Sequence, residues 1–186
     1  MSTPRPLRRV LILGPAGHRL HGTVATLRTQ DVTATLATPT TPIPDGPVEG
    51  LVIADTFAPD TDWSTWWEQE AQTWELFESV LPILAPSARG VMVGFTDTRD
   101  RRSRVKVRKG LHALIARFQA TAEMTQGSDF SINAIETPTD GETQTLDHRL
   151  AEHLSHRGAP LANGIVVSID EIRDQTLSEA TSTNII

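Results

Sequence analysis

Two residue types are missing from this chain of 186 residues: cysteine and tyrosine. Without cysteine there is no disulfide, no thiolate nucleophile and no cysteine-held metal. Without tyrosine there is no phenol to act as a general acid or base. Aromatics are scarce at 5%, and four of them are tryptophans. No apolar run approaches the roughly 20 residues that span a bilayer, and residues 1–9 carry arginines without an apolar core of signal-peptide length. A cytoplasmic protein with no membrane association is the expectation. Basic charge is also short: the net charge of −6 opposes general nucleic-acid binding, which needs a face of cations to neutralise phosphates. There is no internal repeat, and the length suits one α/β core burying about two-thirds of its unfolded surface.

The apolar runs are short and evenly spread. Residues 9–13 (RVLIL) end at Gly14, Pro15 and Gly17, as a strand buried on both faces and closed by a tight turn should. Leu20, Val24 and Leu27 follow at helical spacing, and residues 32–37 (VTATLA) alternate as a second strand. Residues 38–50 hold four prolines and two glycines, which excludes helix or central strand and predicts a loop. A third strand is expected at 51–54, a fourth at 91–95, a fifth at 130–135 and a sixth within 163–170. Leu146, Leu150 and Leu154 mark a helix that stops near Gly158. The alternation predicts a doubly wound parallel sheet of about six strands over residues 1–173, with a loose or partner-bound polar tail at 174–186.

Two long helices dominate the middle. Residues 63–84 carry all four tryptophans, Trp63, Trp66, Trp67 and Trp74, with Phe77, Val80, Leu81 and Leu84 at spacings near three and four. Asp60 to Asp62 offer capping side chains, and Thr65 with Glu68 has the spacing of a capping box. Residues 103–124 place Val107, Leu111, Leu114, Ile115 and Phe118 on one side. Four indoles on one helix exceed what one internal face readily takes, and interfaces favour tryptophan. The expected interface is therefore Trp63, Trp66, Trp67, Trp74, Phe77, Leu81, Leu111, Leu114 and Phe118.

Polar clusters read more plainly. His18 and His21 fit the start of a helix, and His148, His153 and His156 lack the i, i+4 spacing and the acidic partner of a zinc helix, so no metal is expected. The basic cluster Arg99, Arg101, Arg102, Arg104, Lys106, Arg108 and Lys109 reads first as a salt-bridged helix start and second as a docking patch for an acidic carrier or a coenzyme A phosphate. Cations there oppose the helix dipole, so a local anion is expected.

The order of elements, together with VLILGPAG, GLVIAD, INAI and NGIVVSID over about residues 8–170, resembles the short-chain dehydrogenase/reductase (SDR) family. The resemblance implies a Rossmann-like sheet in which that family's third strand and its helix are missing. It implies a cofactor turn of pattern Thr-Gly-x-x-x-Gly-x-Gly, of which Gly14 remains while His18 and Leu20 fill the other two glycine places. Thr38 falls where the family carries the residue that selects the adenosine ribose. For the catalytic set it implies Thr96 at the Ser place, Glu70 at the Asn place, and Lys109 at the Lys place, which puts Val105 at the Tyr place. A one-residue shift gives Arg108 and Arg104 instead. Neither register supplies a phenol.

What the resemblance implies is a degenerate member with no bound cofactor and no catalysis of its own. Its long helices imply pairing across a twofold axis, with an active SDR reductase as hetero-oligomeric partner, one acting on 3-oxoacyl thioesters being the favoured kind, or with a second copy as a homodimer. The alternative expectation is an atypical NAD(P)-dependent oxidoreductase using Thr96 and Lys109. A third is a homodimeric binding module that keeps a cleft for some other ligand at the sheet's carboxyl edge.

Overall fold

The computed structural model describes residues 9–37, 45–58, 63–97, 100–127, 129–141, 143–155 and 163–183, with the backbone alone for Trp63, Ser64 and Trp66. Six strands form one sheet: β1 (Arg9–Leu13), β2 (Thr33–Leu36), β3 (Val48–Phe57), β4 (Leu84–Thr96), β5 (Ser131–Pro138) and β6 (Val166–Ser168). Their order is β2-β1-β3-β4-β5-β6, and every neighbouring pair is parallel. The strand order reverses beside β1, which puts the switch point at the carboxyl ends of β1 and β3, where sheets of this kind bind ligands.

Each face has its own apolar layer. On one side, α1 (His21–Thr29) with the 3₁₀ turn before it (Gly17–Leu20), α4 (Thr143–Ser155) and α5 (Leu177–Thr183) press Leu20, Val24, Leu27, Leu146, Leu150 and Leu177 onto Val10, Ile12, Val93 and Ile135. On the other, α2 (Trp63–Val80) and α3 (Arg101–Gln126) press Phe77, Leu111, Leu114 and Phe118 onto Leu11, Ile53, Met92 and Ile132. Alternate strand residues thus feed opposite layers, as the pleat requires. The doubly wound parallel sheet read from the sequence is the fold found.

The boundaries shift for local reasons. β3 and β4 outgrow their apolar centres because flanking residues still find ladder partners, Val48 opposite Leu84 and Phe57 opposite Thr96. The tryptophan helix ends at Val80 rather than at residue 84: Pro82 has no amide to continue it, and Leu81–Ile83 closes as a 3₁₀ turn before β4 begins. Thr65 and Glu68 lie inside α2 and so do not cap it, while Asp60 and Asp62 lie outside the described residues. Helix α3 starts two residues early because the Asp100 carboxylate accepts the Ser103 amide at 2.9 Å, a bond that holds its pKa below the usual range. Gly127, at φ 58°, ends it in the left-handed conformation.

The tail corrects the expectation of a loose end. Residues 177–183 form α5, with Leu177 and Ala180 buried in the core, because a short amphipathic turn was hidden among serines and threonines. Gly158, Thr38 and Arg99 fall outside the described residues. Among the described residues no helix is long and apolar enough to cross a membrane.

Candidate functional site: the carboxyl edge of the sheet

The turn after β1 is built around Gly14. Its φ of +100° favours glycine, and a Cβ there would stand 2.2 Å from the Ala54 carbonyl oxygen of β3. Three of the amides that follow are bonded within the chain. Ala16 N–H donates to Ala54 O at 3.1 Å, Gly17 N–H to Gly14 O at 3.0 Å, and Arg19 N–H to Ala16 O at 3.0 Å. A dinucleotide turn keeps such donors open for pyrophosphate. His18 is exposed, with Nδ1 3.0 Å from Pro15 O, and Leu20 is wholly buried in the core. The glycine that lets helices approach is instead Gly22, where a Cβ would meet Asp147 of α4 at 2.1 Å. Next to it the Thr23 hydroxyl donates to the buried Asp147 carboxylate at 2.6 Å, locking α1 to α4.

Arg19 leaves this turn and runs across the strand ends. Its guanidinium lies 5.2 Å from the centre of the Phe95 ring on β4 and donates to the carbonyl of Thr139, just past β5, at 2.8 Å. The route from the β1 turn over β4 to the segment after β5 crosses the carboxyl edge of the sheet.

One row of the sheet carries three further polar side chains. Asp55, Gly94, Glu136 and Ser168 are successive partners in register across β3, β4, β5 and β6, so they share the face that α2 and α3 cover. Asp55 keys α2: its carboxylate accepts the Thr73 hydroxyl at 2.9 Å and the Thr56 amide at 2.7 Å, with Gln69 alongside. Burial pushes the Asp55 pKa up, and these hydrogen bonds pull the other way. Glu136 keys α3: it is 1% exposed, and one carboxylate oxygen lies 2.7 Å from Arg104 Nε. Its other oxygen is buried with no partner among the described residues. Between the two acids, Gly94 makes room for Leu111, which a Cβ would meet at 2.9 Å. Ser168 and Glu171 cap the following 3₁₀ turn reciprocally. Arg108 donates to Val166 O at 2.7 Å and lies 3.5 Å from Glu171. The anion expected near the basic cluster is therefore internal: Asp100 at the helix start, Glu136 and Glu171 beside the arginines.

The residues singled out from the sequence do not come together as a reaction centre. Thr96 is buried at the end of β4, whereas Val105 is 45% exposed and Lys109 is exposed on the outer side of α3. The helix phase that faces the strand ends is the shifted one, Arg104 and Arg108. Glu70 pairs with Arg117 at 3.3 Å, and Arg117 covers the Trp74 ring at 3.9 Å. Arg19, Asp55 and Glu136 were missed. Glu136 had a signal, an acid in phase with Ile132 and Ala134 on a core-facing strand; Arg19 had none.

The expected interface also divides. Phe77, Leu81, Leu111, Leu114 and Phe118 are core of this chain, with Phe77 stacked on Phe118 at 4.4 Å and Trp74 on Phe118 at 5.7 Å. They are taken by the sheet and offer no free surface. Trp67, at 61% exposed, stays available, while the side chains of Trp63 and Trp66 lie outside the described residues. Val105 and Met124 join Trp67 as exposed large apolar residues on these two helices.

Sheet, switch point and turn define a Rossmann-like doubly wound α/β protein. Its structure is similar to that of BdcA (YjgI) from E. coli, with a TM-score of 0.51 at 12% identity, covering 87% of this chain and 97% of that one. Likeness at that identity shows a shared fold and nothing finer. No family model matches the chain, and no curated protein matches its sequence.

Proposed function

We propose that this chain is a catalytically inactive subunit of the SDR type, which assembles with an active reductase and stabilises or regulates it. The observation that carries the reading is the occupation of the carboxyl edge by the chain's own arginines, Arg19 on Thr139 and Arg104 on Glu136. A cofactor laid there would have to displace the first, and the second stands where the shifted register of the resemblance asks for a phenol. The Ala16, Gly17 and Arg19 amides after Gly14 are already bonded within the chain, which supports the same reading. The alternative, chemistry by Thr96 and Lys109, is disfavoured because the lysine lies on the exposed side of α3 while the threonine is buried.

Partner binding is assigned to the outer faces of α2 and α3. Trp67, Val105 and Met124 project there, and α2 carries acids where the first half of α3 carries bases. Such a surface suits a partner with the same pair of helices reversed. The partner proposed is a reductase of 3-oxoacyl thioesters encoded beside this chain. Calorimetric titration with NADH and NADPH should give no heat, and co-expression with that reductase followed by native mass spectrometry should give a mixed oligomer. A cofactor bound at micromolar concentration, or a chain that stays alone beside its neighbour, would overturn the reading. Trp67→Ala should leave stability within about 0.5 kcal/mol, as for an exposed side chain, and still weaken the mixed oligomer.

A further inference from the structure

Among the described residues Arg19 has two partners, the Thr139 carbonyl and the Phe95 ring, and neither is charged. Together they link three strand ends that are remote in sequence: β1 through its turn, β4 through Phe95, and β5 through the residue that follows it. Thr139 is held to the same edge from the other side, its amide donating to Thr96 O at 3.0 Å, and Gly141 N–H closes the turn onto Pro138 O at 3.2 Å. In ligand-binding sheets of this type it is the ligand that lies across the carboxyl ends of neighbouring strands.

We propose that Arg19 is a built-in strap that joins the carboxyl ends of β1, β4 and β5 and holds the segment after β5 down on β4, in place of a bound ligand. Arginine suits the task. It is long enough to cross the edge, its planar head can donate in the ring's neighbourhood while lying on the aromatic face, and neutral partners leave the contact little affected by salt. The strap is independent of whether the chain has a partner, so its test separates from the one above.

Amide hydrogen exchange on the full chain reads it directly. Arg19→Met keeps the stem and removes the donors and the charge. It should speed exchange at Thr139 and Gly141 by about tenfold, the combined worth of one hydrogen bond and one cation–π contact, while Val93 in the middle of β4 keeps its protection. Arg19→Lys, with a point charge and no fork, should give a smaller rise. Unchanged exchange at Thr139 in Arg19→Met overturns the proposal. So does inorganic pyrophosphate slowing exchange there in the native chain but not in the variant, since Arg19 would then be an anion ligand. If Arg19→Met also loosens Val93, Phe95→Leu decides: it keeps the Thr139 bond and removes the ring but also loosens the core that Phe95 fills, so a rise at Thr139 greater than that at Val93 supports the strap and no such excess refutes it.

Discussion

Lowering the pH from 7 to 5 should cost this protein about 2 kcal/mol through one side chain, His153. It sits on α4 at 6% exposure, its Nδ1 is buried without a hydrogen-bond partner among the described residues, and burial with the nearby Arg89 cation pushes its pKa down from 6.5 to about 3. The folded chain therefore keeps the ring neutral while the unfolded chain protonates it. Stability from this group is complete above pH 6.5 and drains away as the pH falls toward the folded value. At pH 5 the unfolded state is favoured by RT ln(1 + 10^1.5), which is about 2 kcal/mol, rising to about 5 kcal/mol below pH 3. Urea unfolding followed by circular dichroism at both pH values, for the native chain and for His153→Leu, isolates the effect. Leucine cannot titrate, so the variant should lose about 2 kcal/mol less than the native chain between the two conditions. Contributions from other groups, such as Asp100 and Glu179, whose lowered pKa values matter mainly at more acid pH, cancel in the difference. Equal losses in the two proteins would refute the argument, because His153 would then be reaching water or a partner when folded.

Other substitutions test the site more locally. Gly14→Ala should destabilise by about 3 kcal/mol or more, since the new Cβ meets a backbone carbonyl and the positive φ is unfavourable as well; thermal unfolding measures it. Asp55→Asn should raise the melting temperature at pH 7 and change it little at pH 3.5. A buried acid whose folded pKa is raised penalises the folded state once the pH exceeds that pKa, and not below its unfolded value of 3.8. Glu136→Gln should cost about 1–3 kcal/mol in urea unfolding, less than for a fully enclosed pair, because Arg104 is 39% exposed and can turn to water.

The elements were legible because their cause is local. RVLIL followed by glycine, the alternation from residue 131 on, and leucines at 146, 150 and 154 carry their period on their face, and burial on both sides makes a parallel strand a continuous apolar run. The tryptophan helix shows where that reasoning ends. Its spacing told of a long helix, but the same spacing serves a sheet face and a partner equally well, and only packing assigned Phe77 inward and left Trp67 outside.

By itself, then, the sequence determined the doubly wound sheet, the order of its strands along the chain and the absence of a phenol. Tertiary structure alone decided where the charged side chains went. Arg19 meets a carbonyl 120 residues away, and Arg104 meets Glu136 across a helix and a strand. No period in the sequence encodes such a meeting, because it depends on which strand ends the completed sheet brings side by side.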